Sequence, residues 1–532
     1  MAGGSPDVDF RPPTALAMFE AALASGADRP LIKYFDGVLT MRDVDERANA
    51  LANLLTANGF RFGDRFALFT QNNPAFVIGL VAAWKVGGVA VPINPMYTAR
   101  ELTFALIDTG ARALLSLDTL YDDVARGVVE SGESDVEVVV TTSADDWRAP
   151  RNRLAVGRAG HRIAELPVGP RVGTGQLTPT DAALLMYTSG TTGIPKATIN
   201  THSNVTAGAE TYRRWMELTA DDVVLGLTPV FHITGLIGHV AVALRLGAPL
   251  VLAHRFTPAG MLDAIRTHRP TFVIGTISAL VSLVDESSSA EDFVSIRRLG
   301  SGGAAISPAL ADKIEKAMGL PLTVVYGLTE TTSPALAAPM DRPTAVDVES
   351  GALSIGMPVY DTVVRVVDDA GEDVRAGEVG EFAISGPQVA AGYWGQDDAT
   401  AQFFPGGELR TGDIGFVDAD GWAFLLDRKK DMITSAGYKV WPREVEDVLY
   451  RHPDVAEVAV VGVPDEVRGE SVTAFVALEP GRTADVDALM AYAREQLAAY
   501  KRPRRIVLTD ALPKTTSGKI LRRALRDNGS GD

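Results

Sequence analysis

Short apolar runs alternate with amphipathic helical ones from about residue 40 to 285, and this alternation restricts the fold more than any other property of the chain. In "TMRDVDERANALANLLTANG", Val44, Ala48, Leu51 and Leu55 share one helical face, with Thr40 placed to cap the helix and Gly59 to end it. Strand-like "RFALF", helical "PAFVIGLVAAWKVGG" and strand-like "VAVPI" follow. The pattern then repeats through "VVLGL", "TGLIGHVAVALRLG", "PLVLA", "PAGMLDAIRTH", "TFVIG" and "SALVSLVD". Such an order predicts an α/β body of layered, largely parallel sheets. The polar stretch from Ser143 to Gln176 reads as a loop or excursion.

After Met357 the period changes. "TVVRVVDDAGEDVRAGEVGEFAISG" predicts antiparallel strands joined by turns, a β-rich module that closes the body. The charged run Asp427 to Asp431 reads either as a solvated turn or as a hinge. Beyond it, "REVEDVLYRH", "VAEVAVVGV", "ESVTAFVAL" and "DVDALMAYAREQLAAY" predict a small αββα domain.

Composition excludes several classes. With 532 residues, the chain should divide into about two to four domains. A formal net charge of −17 disfavours nonspecific attraction to nucleic acid or to an anionic membrane. The chain has no cysteine, hence no disulfide or thiolate, and its 7 histidines show no paired ligand spacing. The longest apolar stretch is broken by Lys85 and Pro92, which favours a buried helix followed by a strand over a membrane span. "MAGGSPDVDFRPPT" lacks a charged leader followed by an apolar core and "NGSGD" carries no organelle address, so a cytoplasmic location is expected.

Five stretches carry chemistry. "YTSGTTGIPKA", Tyr187 to Ala197, combines glycines that let backbone N–H groups approach a ligand, hydroxyl donors and one lysine, a set suited to a polyphosphate. Its spacing differs from GxxxxGK[ST], so it is not the common P-loop, and a plain turn is the alternative. "YGLTETT" offers Glu330 as an oxygen ligand for Mg²⁺, or a surface turn. "RTGDIG" offers Asp413 to a ribose diol, or an Asx turn. "GSGGAA" matches the dinucleotide fingerprint only formally, because Tyr326 stands where an acidic residue should end the next strand. "PKTTSGKILRR" places Lys519 after a flexible stretch, either as a basic tail or as a cation delivered from the small domain.

Together with "DRKKDMITSAGYKVWPREVE", these stretches resemble the adenylate-forming superfamily of acyl-CoA synthetases, peptide-synthetase adenylation domains and luciferases, in family order from about residue 15 to 525. The resemblance implies a large N-terminal body over residues 1–427, a hinge at 428–431 centred on Lys430, and a mobile C-terminal α+β domain over 432–532. It implies that Thr188, Ser189, Gly190, Thr191, Thr192, Gly193 and Lys196 embrace the ATP phosphates. Gly302, Gly303 and Ala304, with Tyr326, resemble the adenine pocket; Thr329 would touch the α-phosphate and Glu330 the Mg²⁺. Asp413 and Arg428 resemble the ribose ligands, Lys519 the lysine of the adenylation step, and Gly437 part of a pantetheine tunnel.

The implied reaction converts a carboxylate and MgATP to acyl-AMP, then to a thioester. Amino-acid-activating relatives carry Asp where this chain has His232 in "PVFHITGL", and the apolar surroundings favour a fatty, aryl or polycyclic acid. His232 is therefore expected at the acyl pocket, although His232 and His239, seven apart, could simply pack on one helix face. Ala197, Thr198 and Ala391 depart from the family pattern without removing a named group. The expected acceptor is CoA; a carrier protein or separate thioesterifying enzyme is the alternative, and a non-catalytic nucleotide-binding relative is the reading from another class. A small-molecule acid and CoA are thus the expected partners, without nucleic acid or an integral membrane segment, and an oligomer is compatible with the sequence.

Overall fold

Local capping sets the helices of the body. Thr40 caps the helix Met41–Ala57 by accepting from the Asp43 N–H, while Asp43 accepts from the Thr40 N–H, and Gly59 follows at φ +82°. Asn73 caps the helix Pro74–Lys85, whose residues are buried all round. This helix is hydrophobic on every side because it lies inside the largest core cluster, where Trp84 donates to the Ala183 carbonyl. Its terminal Lys85 is wholly buried with Nζ 2.7 Å from Asp45 Oδ1, as a charge removed from water must be paired.

The computed structural model describes residues 12–149, 161–172, 177–188, 195–304, 306–348, 350–428, 431–435, 438–465, 468–514 and 520–529. Two sheets form the body. One has 9 strands: Pro30–Tyr34, Leu250–Leu252, Val224–Leu225, Phe272–Gly275, Arg298–Gly302 and Leu322–Tyr326 run parallel, with antiparallel strands at the edges. The second has 7 strands, parallel up to Ala182–Thr188, which then turns back through Lys196–Thr201. The stretch expected to be a loop supplies this sheet's edge strand: His161–Arg162 pairs parallel with Val140 and Thr141, and Arg162 is bonded to buried Asp146. Two residues are too few to show a sequence period.

A 4-stranded antiparallel sheet of Val363–Val367, Gly380–Ser385, Leu409–Val417 and Ala423–Arg428 adds the expected β-rich module. The small C-terminal domain contains the helices Pro442–Leu449 and Val486–Gln496 around a ladder of Val455–Asp465 and Gly469–Leu478. Val445, Leu449, Val458, Val460, Leu489 and Ala493 form its own core. The fold is thus a large body of layered α/β sheets with a smaller α+β domain. Among the described residues no helix is long and apolar enough to cross a membrane.

Candidate active site

Three of the residues expected to act on a nucleotide, Thr188, Gly302 and Tyr326, end parallel strands of the body, where open α/β sheets bind ligands. Gly302 ends one strand and Tyr326 its neighbour, with Gly302 in register with Val325. A β-carbon at Gly302 would lie 2.2 Å from the Val325 carbonyl oxygen, so the shelf beside Tyr326 admits no side chain there. Gly303 follows at φ +78°, and Ala304 is exposed.

Tyr326 donates its phenol proton to Asp413 Oδ2 over 2.6 Å. Asp413, 2% exposed, pairs in the antiparallel ladder with Arg428, whose Nε lies 3.1 Å from Asp413 Oδ1. Burial, reinforced by the Asp413 charge, pushes the Tyr326 phenol well above its ordinary pKa, so it remains a donor. The Asp413 charge also raises Arg428. An anionic acceptor is therefore held in fixed orientation beside the glycine shelf.

The second half of the site grows from the turn between Ala182–Thr188 and Lys196–Thr201. Thr188 and Lys196 face each other across that ladder, and the Thr188 hydroxyl donates to the Lys196 carbonyl over 3.4 Å. Ser189, Gly190, Thr191, Thr192 and Gly193 lie outside the described residues, as do Lys430, Gly437 and Lys519. Lys196 Nζ lies 5.1 Å from the centre of the Tyr393 ring and 4.8 Å from that of Phe403.

The segment around Tyr393 is laid onto the same strand by backbone bonds: Ala391 N–H to the Ile199 carbonyl, Ile199 N–H to Gly392, and Trp394 N–H to Ala197. Tyr393 then donates its hydroxyl to Glu330 Oε1 over 2.8 Å. The Ala390 N–H binds the Glu330 carbonyl, and Asn200 Nδ2 donates to the Thr329 carbonyl at 3.0 Å and to Thr332 Oγ1 at 2.8 Å. Thr329 and Glu330 thus sit on a turn fastened from two sides to the strand that carries Lys196. Asn200 and Tyr393 were not singled out from the sequence; a lone amide in "KATIN" and the aromatic pair in "GYW" were the available signals.

His232 lies apart from this cluster in its local role. It precedes the short helix Ile233–Gly235 as its cap, Nδ1 accepting from the Thr234 N–H, and does not share a helical face with His239. His239 lies in the following π-helical turn Leu236–Ala241, fully buried, with Nε2 2.9 Å from the Ile274 carbonyl oxygen; burial depresses its pKa to about 4. The apolar residues Ile233, Leu236, Ile237 and Val240 belong to the main core. Their apolarity is explained by packing and does not by itself report an acyl pocket.

The acidic ends of the charged run after residue 426 are not solvated. Asp427 and Asp431 are buried. Asp427 accepts from the Arg443 N–H at 3.0 Å and lies 3.4 Å from Arg522 Nη1; Arg522 Nη2 reaches both Glu446 oxygens at 2.7 Å. Arg443 also donates to the Leu425 carbonyl at 3.0 Å and to Ile306 at 3.4 Å. These contacts join the strand Ala423–Arg428 to the small domain.

Residues 19–394 match the model of the AMP-binding enzyme family, and residues 444–519 match that of the AMP-binding enzyme C-terminal domain. The chain belongs to the AMP-binding enzymes, the adenylate-forming family of acyl-CoA ligase type. It is 34% identical to the long-chain-fatty-acid–CoA ligase of Bacillus subtilis (strain 168), over 94% of this chain and 91% of that protein. It is 36% identical to the feruloyl-CoA synthase of an Amycolatopsis species, over 93% of this chain and 95% of that protein. Among solved structures it resembles the anthranilate CoA ligase AuaEII in complex with anthranoyl-AMP, with TM-score 0.85, 29% identity and 97% of each chain covered. In this AMP-binding enzyme, Asp413 and Arg428 fall between the two matched segments, so Tyr326 takes its hydrogen-bond partner from the β-rich module.

Proposed function

We propose that this acyl-CoA ligase activates a hydrophobic fatty, aryl or polycyclic carboxylic acid as acyl-AMP and passes the acyl group to CoA. The observation that carries the reading is the pairing of two adjoining groups. Tyr326, Asp413 and Arg428 form one bonded group next to Gly302, suited to a nucleoside, and Lys196 and Glu330, both of which meet Tyr393, lie on the adjoining strand and turn, suited to its phosphates and their metal. The apolar character of the acid is supported by the relatives' substrates and by a histidine where amino-acid-activating enzymes carry an aspartate.

Asp413 accepts hydrogen bonds from the ribose and Arg428 holds Asp413 in place. Lys196, with Thr188 and the loop residues Ser189 to Gly193, neutralises the β and γ phosphates. A carboxylate oxygen of the acid attacks the α-phosphorus; the bond to the bridging oxygen breaks, and pyrophosphate leaves with that electron pair. Thr329 positions the α-phosphate, and Lys519, carried by residues 432–532, stabilises the crowded charge. Rotation about residues 428–431 then brings Gly437 toward the site. The CoA thiolate attacks the acyl carbonyl and AMP departs. His232 borders the acyl group.

No group of three or more carboxylate or histidine ligands that could enclose a metal occurs among the described residues. A single carboxylate, Glu330, with one oxygen engaged by Tyr393, fits a Mg²⁺ ion that takes its other ligands from substrate phosphates and water. When bound, Mg²⁺ supplies charge neutralisation for the polyphosphate.

Pyrophosphate release over a panel of fatty, aryl, polycyclic and amino acids, with and without CoA, tests the reading. Release with hydrophobic acids and thioester formation with CoA are expected. Preference for free α-amino acids would overturn the substrate class. Accumulation of acyl-AMP with CoA present would point to another acceptor.

A further inference from the structure

Lys196 and Glu330 bear opposite charges in one site, yet no ion pair joins them among the described residues; each meets Tyr393 instead. A direct pair would be a liability. It would partly cancel the cation meant for phosphate and the anion meant for metal, and the incoming nucleotide would first have to break it.

Tyr393 is built to stay between them. It is 7% exposed, its ring packs edge-on to Phe403 and Phe404 with centroids 6.0 and 5.4 Å away, and its N–H donates to Thr400 Oγ1 at 2.9 Å. The ring receives Lys196 Nζ at 5.1 Å, a place it shares with Phe403 at 4.8 Å, and such a cation–π contact yields readily to a phosphate. The hydroxyl occupies Glu330 Oε1 and leaves Oε2 as that carboxylate's other metal-binding oxygen.

We infer that Tyr393 is a positioning residue that orients Glu330 for a divalent cation through its hydroxyl and parks Lys196 on its ring, keeping the two charges apart until a nucleotide arrives. The inference rests on the assignment of Glu330 as metal ligand. It adds a device that acts through other residues, since Tyr393 itself need touch neither ATP nor the acid. Hydrogen-bond partners that orient a metal-binding side chain are worth about 10- to 100-fold in metal affinity.

The test measures Mn²⁺ binding by electron paramagnetic resonance in the presence of a non-hydrolysable ATP analogue, and analogue binding without metal, on the full chain. Tyr393→Phe removes only the hydroxyl and should weaken Mn²⁺ binding about 10-fold, with metal-free analogue binding unchanged. Tyr393→Leu removes the Tyr393 ring as well, leaving Phe403 alone to hold Lys196, and should also weaken metal-free analogue binding as Lys196 shifts toward Glu330. In a Glu330→Gln background, Tyr393→Phe should add little further loss. Wild-type Mn²⁺ binding by Tyr393→Phe, with Glu330→Gln weakened, would overturn the role of Tyr393 while leaving Glu330 as ligand. Undiminished Mn²⁺ binding by Glu330→Gln would remove the ligand assignment and the inference together. An equal Tyr393→Phe loss in both backgrounds would also overturn the inference, because its effect would not pass through Glu330. If Tyr393→Leu does not fold, Tyr393→Phe and the double variant still decide.

Discussion

Asn200 reaches from the strand that begins at Lys196 to the turn that holds Glu330, its amide donating to both the Thr329 carbonyl and Thr332 Oγ1. The side chain is wholly buried and its Oδ1 meets no protein partner. Both amide protons are therefore spent on this one turn, while the amide oxygen is left unused. The expected α-phosphate and metal residues depend for their placement on an amide far from them in sequence.

Asn200→Leu should lower kcat for acyl-AMP formation about 10-fold or more, since loss of a buried donor leaves the Thr329 carbonyl unpaired and frees the turn. The turnover defect should exceed any change in KM for ATP, with the melting temperature lowered by only a few degrees. Pyrophosphate-exchange kinetics and calorimetry check both. A pure loss of stability with normal kcat would mean that the amide only packs.

Tyr326→Phe should weaken ATP binding about 10-fold, because a hydrogen bond to a buried carboxylate contributes roughly 1.5–3 kcal/mol. Asp413→Asn should weaken it further, since it also abolishes the charge opposite Arg428. Isothermal titration with ATP separates these effects from catalysis. Unaltered affinity in both variants would remove the ribose assignment.

Lys519 and Gly437 should divide the two half-reactions. Lys519→Ala should slow acyl-AMP formation by about 10²- to 10³-fold while supplied acyl-AMP is still converted to thioester. Gly437→Leu should do the reverse, with near-normal pyrophosphate release in a single turnover and failed thioester formation. Matched losses in both assays for either variant would reject the division.

Acid should destabilise the fold through buried histidines. His202, His239 and His254 are each held near pKa 4 by burial, below the usual 6.5. Between those values the unfolded chain binds the protons that the folded chain refuses, so stability is complete above about pH 6.5 and falls toward pH 4. Each group accounts for at most roughly 3 kcal/mol of that loss. Melting temperature followed from pH 7.5 to 4.5 checks the sign, and His239→Asn should flatten the slope. Buried Asp427, Glu446 and Asp447, whose pKa values burial raises, act in the opposite sense, so a slope unchanged by His239→Asn is the outcome that contradicts the role of His239.

The sequence by itself determined the layered architecture and named the chemical groups of the candidate site. Strands buried on both faces must be apolar throughout, helices against them must be amphipathic, and caps such as Thr40 with Asp43 act within one turn, so each signal lies inside a short window. The clusters around Lys196, Glu330 and Asp413 were legible for the same reason. The tertiary structure alone decided how those groups are held. Tyr393 meets Glu330 across 63 residues, Asn200 meets Thr329 across 129, and Arg522 meets Asp427 across 95, distances over which no local period carries information. It also ruled out two local alternatives. Asp427 and Asp431 could have been solvated, but their partners Arg443, Arg522 and Arg526 come from other segments. His232 and His239 looked like one helical face, but the helix begins after His232 and passes into a π-helical turn, which changes the angular step on which the face was counted. Side-chain pairing between distant segments follows from packing of the whole chain, and only there do the charges of this site acquire their partners.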